Sequence, residues 1–336
     1  MRALAFAFAL LALAACAPIV QRPQTPAPGF PGPRLEGDRF ISFDGARLGF
    51  SHWDPPNGEP WAVVVGLHGM DDYANAFHLA GPYWAARGIA TYAYDQRGFG
   101  RSPERGVWGG DKLMMEDLRT FTALVRARFP HAIIAVVGES LGGAVAIETF
   151  ASDRPPDADR LVLTAPAVWG WSSHPASYSL ALDIAAHVVP AKVLTPPKFV
   201  TSHVQASDNV PELIAMGKDP LMIWGARTDA LYGLVTTMEH GWRDIGRIRT
   251  PTFYLLGAHD QIIPQKPAFE AARRLPTGDR TAYYAQGWHL LLRDKQAHNV
   301  YDDIAAFIRD PTAPLPSGAP AIPGTGSALV SRAATE

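Results

Sequence analysis

The sequence predicts an α/β protein: a mostly parallel sheet of about eight strands, covered by helices on both faces, with a helical cap inserted late in the chain. Three observations predict it. Short, continuously apolar runs rich in β-branched and aromatic residues alternate with longer runs of helical period. One interval of about 85 residues, 166–250, breaks that rhythm and offers no clear strand. Residues 133–145, IIAVVGESLGGAV, read as a strand, a sharp turn and a small-residue helix in immediate succession.

The chain opens with MRALAFAFALLALAAC over residues 1–16. Arg2 precedes 13 apolar residues, 3–15, the pattern of a secretory signal and too short to span a bilayer. The run ends in Leu13-Ala14-Ala15-Cys16, which resembles the lipobox of bacterial lipoproteins. That resemblance implies cleavage before Cys16 and acylation of its thiol, and two or more acyl chains hold a protein stably on a membrane. Ala17 in place of an aspartate implies, by the same resemblance, the outer membrane of a Gram-negative cell envelope, facing the periplasm. Residues 17–36 are Pro-rich and are expected to form an extended tether outside the core.

Strand runs at 39–43 and 47–53 flank Asp44-Gly45, a hairpin signal. The apolar runs 62–67, 89–94, 133–137 and 161–164 have no polar alternation, as expected of strands covered on both faces. Helical patterns fit 111–128 and 141–151 between them. The interval 167–249 holds Trp169, Trp171, Tyr178, Trp224, Tyr232 and Trp242. A structureless loop of that length is improbable, so helices are expected there, near 176–189 and 228–242, as a cap between strands six and seven. Strands at 252–256 and 281–285 and helices at 266–275 and 295–308 complete a core assigned to 37–166 and 250–310. Residues 311–336, rich in Pro, Gly, Ala and Ser, are expected to be a disordered tail.

Composition narrows the function. With 336 residues, 47% apolar and 18% charged, the chain supports a large core, and global disorder is excluded. A formal net charge of −2 leaves no footprint for nucleic acid. One cysteine excludes a disulfide framework. No H-E-x-x-H spacing and no P-loop is present, so neither a metal nor a cofactor is expected.

The chemistry lies at three strand ends. Gly138-Glu139-Ser140-Leu141-Gly142 is a G-x-S-x-G turn between a buried strand and a helix, the setting that exposes a nucleophilic serine. A serine hydroxyl needs a base within reach and a third group to orient that base. After strand seven, LLGAHD ends in Asp260; after strand eight, AQGWH ends in His289. Both fall at the same sheet edge as Ser140, in the order Ser, acid, His. His259 precedes the acid and is expected to shape its loop, and Asp229 and Asp279 are weaker acid candidates. An oxyanion hole requires backbone donors. The residue after the nucleophile, Leu141, supplies one N–H, and Met70 in the loop HGMDDY is assigned the other. His68 is expected to orient that loop.

Together HGM at 68–70, DQRGFGRS at 95–102, GESLGG at 138–143, GAHDQIIP at 257–264 and GWHLLLRD at 287–294 resemble the α/β-hydrolase family, in its monoacylglycerol lipase and lysophospholipase-like branch. The resemblance implies Ser140 as nucleophile, Asp260 as acid, His289 as base, and Met70 and Leu141 as oxyanion donors. It implies a serine carboxylester hydrolase acting on acyl glycerols or lysophospholipids through an acyl-enzyme. The same triad also serves aminopeptidases and thioesterases, and a lipid-binding envelope lipoprotein with a vestigial site is a reading of another class. Two positions depart from the branch. The loop reads HGMDDY, where Gly, Glu and His commonly follow the HG pair, and Glu139 replaces a common His. Both are expected to alter the acyl pocket and its mouth.

Overall fold

The computed structural model describes residues 17–196 and 204–325. The signal-like segment with Cys16, residues 197–203 of the cap and residues 326–336 lie outside the described residues.

Among the described residues nine strands form the central sheet: β1 (Arg34–Glu36), β2 (Arg39–Ile41), β3 (Arg47–Trp53), β4 (Ala62–Leu67), β5 (Ile89–Tyr94), β6 (Ile133–Glu139), β7 (Arg160–Thr164), β10 (Thr252–Gly257) and β11 (Arg280–Tyr284). Their order across the sheet is β1-β2-β3-β5-β4-β6-β7-β10-β11. The first three are antiparallel, and every neighbouring pair from β5 to β11 is parallel. The count exceeds the expected eight because β1 falls in the Pro-rich segment, where three residues between glycines carry little period.

Alternation along the central strands assigns their side chains to two cores. Val63, Val65 and Leu67 of β4, with Ile134 and Val136 of β6, face one layer. Ala62 and Val64, with Ala135 and Val137, face the other. The first layer is built from α2 (Asp111–Arg128), α3 (Leu141–Phe150) and α7 (Gln265–Arg273), through Phe121, Ile147 and Ala271 among others. The second holds α1 (Ala80–Ala85) and α8 (Ala297–Arg309), through Trp84, Tyr301 and Phe307. Each large apolar side chain removed from water contributes about 1.5–3 kcal/mol, so strands filled on both faces are the main stabilising feature.

The cap between β7 and β10 contains α4 (Ala176–Val188), α5 (Val210–Lys218) and α6 (Thr228–Asp244), with a two-residue antiparallel pair, β8 (Val193–Leu194) and β9 (Ala226–Arg227). Helix α5 was not expected, because its nine residues carry both Pro and Gly. Among the described residues no helix is long and apolar enough to cross a membrane.

Both terminal segments depart from expectation. Residues 17–33 run along the body instead of extending away from it. Gln21 is buried; its backbone N–H reaches the Trp108 carbonyl at 2.8 Å and its side chain the Val107 carbonyl at 3.0 Å. The Gln24 N–H bonds Asp44 at 2.8 Å. Residues 311–325 are also packed. Ile322 is 1% exposed, Tyr283 N–H donates to the Pro320 carbonyl, and Ser317 N–H donates to Asp303. Pro-rich chain lacks donors, yet the flanking amides and a few apolar side chains can still dock on exposed carbonyls and apolar faces.

Candidate active site

Strand β6 delivers its last residue, Glu139, into a turn whose next residue, Ser140, has φ 51° and ψ −115°. A non-glycine residue with this backbone is strained, and such strain collects at functional sites. The turn closes because its neighbours lack side chains. A Cβ on Gly138 would stand 2.6 Å from the Gly142 carbonyl oxygen, and one on Gly142 would stand 2.3 Å from that of Leu67. The carbonyl of Ser140 accepts from Ala144 and Ala167, its N–H donates to Thr164, and the side chain begins α3 at 9% exposure.

Asp260 follows β10 and His289 follows β11, on adjacent parallel strands that end at the same edge. Asp260 is held from two sides. Its Oδ1 accepts the N–H groups of Ile262 (2.8 Å) and Ile263 (2.9 Å), and its Oδ2 accepts from His289 Nδ1 at 2.9 Å. With Nδ1 donating, Nε2 is left as the acceptor, the tautomer a general base needs. Burial alone disfavours the imidazolium of His289. The charge of Asp260 and its hydrogen bond, with the charge of Glu139, outweigh that and raise the pKa above its ordinary 6.5. Among the described residues Ser140 Oγ makes no hydrogen bond. Catalytic contacts of this kind are often long without substrate and tighten when it binds.

The loop after β4 lies against the nucleophile: a Cβ on Gly69 would be 3.3 Å from Ser140 Cβ. His68 fixes this loop. Gln96 N–H donates to its Nε2 (2.8 Å), so its proton sits on Nδ1, which donates to the Gly69 carbonyl (2.7 Å). Burial keeps this imidazole neutral by lowering its pKa. Met70 packs beside Leu141, and neither backbone N–H donates to a protein acceptor among the described residues. Backbone amides left without a protein acceptor are the kind of donor that an oxyanion requires.

The two departures from the branch turn out to be partners. Glu139, fully buried, meets Arg293 at 2.6 Å, and the same guanidinium meets Asp72 at 2.7 Å. Glu139 does not line the narrow cleft over Met70, as was expected of it. With Asp72 and Arg293 it forms a buried ionic knot joining the elbow, the loop after β4 and the turn after His289, while Met70 and Asp71 of the same loop do line that cleft. Arg293 lay within the motif GWHLLLRD but carried no signal of its own, since one arginine near a helix start is ordinary. Asp294 beside it accepts from Trp288 N–H (2.7 Å) and from Ser207 of the cap (2.6 Å).

A narrow cleft lies over Met70, walled by Phe99, Trp108, Ile223 and Ala230. Asp71 lines it as well, with its carboxyl raised to about 7 by burial and by the charge of Asp72. The space amounts to about 10 Å³, barely one water. The DQRGFGRS loop supplies the cleft's fixed wall. Asp95 binds Arg101, and Arg97 is clamped between Asp44 (2.8 Å) and Asp117 (2.7 Å). The remaining acid candidates have other partners: Asp229 pairs with Arg227 at 2.6 Å, and Asp279 accepts the Thr252 N–H. His259 stacks on Trp288.

The family model described as serine aminopeptidase, S33, matches residues 58–296. The monoacylglycerol lipase of Mycolicibacterium smegmatis is 25% identical over 276 residues, 80% of this chain and 95% of that one. The human monoglyceride lipase is 24% identical over 288 residues, 84% of this chain and 93% of its own. A soluble variant of the Saccharomyces cerevisiae monoglyceride lipase, solved with a substrate analog, superposes with a TM-score of 0.68 at 17% identity, covering 87% of this chain and 98% of that one. This last likeness is one of fold.

Proposed function

Because this chain belongs to the serine aminopeptidase S33 family and is a serine hydrolase with the α/β-hydrolase fold, we propose that it cleaves carboxylic esters of acyl glycerols or lysophospholipids. The observation that carries the reading is the His289–Asp260 pair at 2.9 Å on the edge where Ser140 stands in its strained turn. Ser140 Oγ attacks the ester carbonyl while His289 Nε2 takes its proton. The oxyanion is held by the N–H groups of Met70 and Leu141. Collapse expels the alcohol, which receives that proton from His289. Water, deprotonated by the same imidazole, then cleaves the acyl-enzyme to the free acid and restores Ser140.

Apolar features support a lipid substrate. The cleft is walled by Phe99, Trp108 and Ile223. On α4, Leu180, Ile184 and Val188 form an exposed stripe at four-residue spacing, and Val210 and Ile214 repeat it on α5. A surface of this kind suits an enzyme whose substrate sits in a lipid aggregate.

Peptide-bond hydrolysis is the second reading, carried by the family's description and by Asp71, a carboxyl in the cleft able to meet a substrate amine. One panel separates the two: p-nitrophenyl esters of increasing chain length, monoacylglycerols, lysophospholipids and aminoacyl anilides. Esters are expected to be the faster substrates, and Ser140→Ala to lower kcat by about 10⁴ or more. Anilides turned over faster than every ester would displace the lipase reading. Undiminished hydrolysis by Ser140→Ala would remove the nucleophile.

We also propose a lipid anchor at Cys16, with the enzyme held on the periplasmic side of the outer membrane. The sequence of the first 17 residues supports it. Cys16→Ser is expected to release the protein from the membrane fraction, and an unchanged distribution together with an unacylated N-terminal peptide by mass spectrometry refutes the anchor.

A further inference from the structure

Where the last cap helix crosses onto the core, three side chains from three elements converge. His240 comes from α6, Asp111 opens α2, and Glu148 lies near the end of α3. His240 Nδ1 stands 3.2 Å from Asp111 Oδ2 and 3.4 Å from Glu148 Oε1, and one donor atom from each residue lies within 4.8 Å of the others. Glu148 is only 8% exposed, yet among the described residues its Oε1, the atom turned toward the imidazole, has no well-formed hydrogen bond, only that 3.4 Å ion pair with His240. A ring N–H points in one direction and cannot serve two carboxylates at once.

The two separations from His240 match those between ligands of a single ion. Nitrogen and oxygen ligands lie about 2.0–2.2 Å from a zinc-sized ion, so neighbouring donors stand about 3.0 Å apart at right angles and about 3.4 Å apart at tetrahedral angles. We propose that Asp111, Glu148 and His240 form a site for a divalent transition-metal ion of zinc type, bound by one imidazole nitrogen and two carboxylate oxygens. Imidazole with carboxylates suits zinc, cobalt, nickel or manganese, whereas calcium and magnesium prefer oxygen alone. The remaining positions go to water, because Glu148 and His240 line an open polar cavity of about 310 Å³. The Thr237 hydroxyl donates to Asp111 Oδ1 and so turns Oδ2 toward His240, as groups behind metal ligands commonly do. Arg243 and Arg247 on the rim are drawn toward Asp244, which tempers their repulsion of a cation.

No local motif announces such a site, since its members are far apart along the chain, and for this reason none was expected. Glu148 is eight residues beyond Ser140 along α3, about 12 Å at 1.5 Å per residue. The ion therefore takes no part in bond making; it pins the cap to the helix behind the nucleophile.

The test uses the untagged full chain, stripped with EDTA and titrated with Zn²⁺, Co²⁺, Ni²⁺ or Mn²⁺. One ion per chain is expected to bind saturably and raise Tm, and Co²⁺ is expected to give the visible absorption of a nitrogen- and oxygen-ligated ion. His240→Gln and Glu148→Gln should each weaken binding tenfold or more while ester hydrolysis persists. Absence of saturable binding and of the Co²⁺ band in the unmodified chain overturns the proposal, whether or not the variants fold. Equal binding by the unmodified chain and both variants also overturns it, and leaves a histidine ion-paired between two carboxylates.

Discussion

His289 shows how one side chain's surroundings set a measurable property of the enzyme. Burial opposes its positive charge, but Asp260 at 2.9 Å and Glu139 favour it more, and the pKa is raised above 6.5. A general base works only when neutral, so kcat/KM for a short ester is expected to fall as pH drops, with its acid limb centred above pH 6.5. Asp260→Asn removes the charge that raises this pKa and reverses the tautomer preference. The variant is expected to lose about 10³–10⁴ in kcat, with the residual activity's acid limb moved to lower pH. A pH–rate profile on both proteins checks this, and an unmoved limb would assign that ionisation to another group. The chain order Ser140, Asp260, His289 was legible without coordinates, because each residue follows an apolar run and so must emerge at the same sheet edge. The destination of Glu139 was not legible. A carboxylate beside a nucleophile reads as pocket lining until a buried arginine is found against it.

At the scale of elements, Arg293 binds three of them together. It is fully buried and pairs with both Glu139 on the elbow and Asp72 on the loop after β4. Removing one member of such a group strands the others' charges away from water, at about 3–5 kcal/mol. Arg293→Met is therefore expected to lower the unfolding free energy by about that much in urea denaturation. Adding Glu139→Gln to Arg293→Met should recover part of the loss, because one stranded charge is gone. A loss under about 1 kcal/mol would mean that the knot is solvated or rearranges. Arg293 also reaches the sulfur of Met216 on α5, and Ser207 of the cap reaches Asp294, so the same turn supports the cap. The existence of a helical cap followed from length and apolar content. Helix α5 did not, because a short segment with Pro and Gly has weak propensity; it buries no residue and is tied to the core by polar contacts, Glu212 to His78 and Met216 to Arg293.

The largest corrections concern the whole molecule. Residues 311–325 lie against β11 and α8, burying Ile322 and satisfying Asp303 through Ser317. Deleting residues 311–336 is expected to cost about 2–4 kcal/mol from lost burial and unpaired groups, read as a lower Tm with the acyl-enzyme chemistry retained. An unchanged Tm would mean that this segment adds nothing to the fold. Such docking is invisible to composition, since the Pro and Gly content that argues for disorder says nothing about the groove a segment meets. The sequence by itself determined the alternation of strands and helices, the elbow at Ser140, the order of the candidate triad and the presence of a cap. These depend on local period, on sterics within a few residues, and on which end of a parallel strand faces the crevice. Only the tertiary structure decided that Glu139 and Asp72 share one buried guanidinium, that of Arg293, that both Pro-rich flanks pack, and that Asp111, Glu148 and His240 meet. The physical reason is that charge pairing and docking act between groups distant along the chain, and their strength depends on a separation and a burial that exist only once the sheet is assembled.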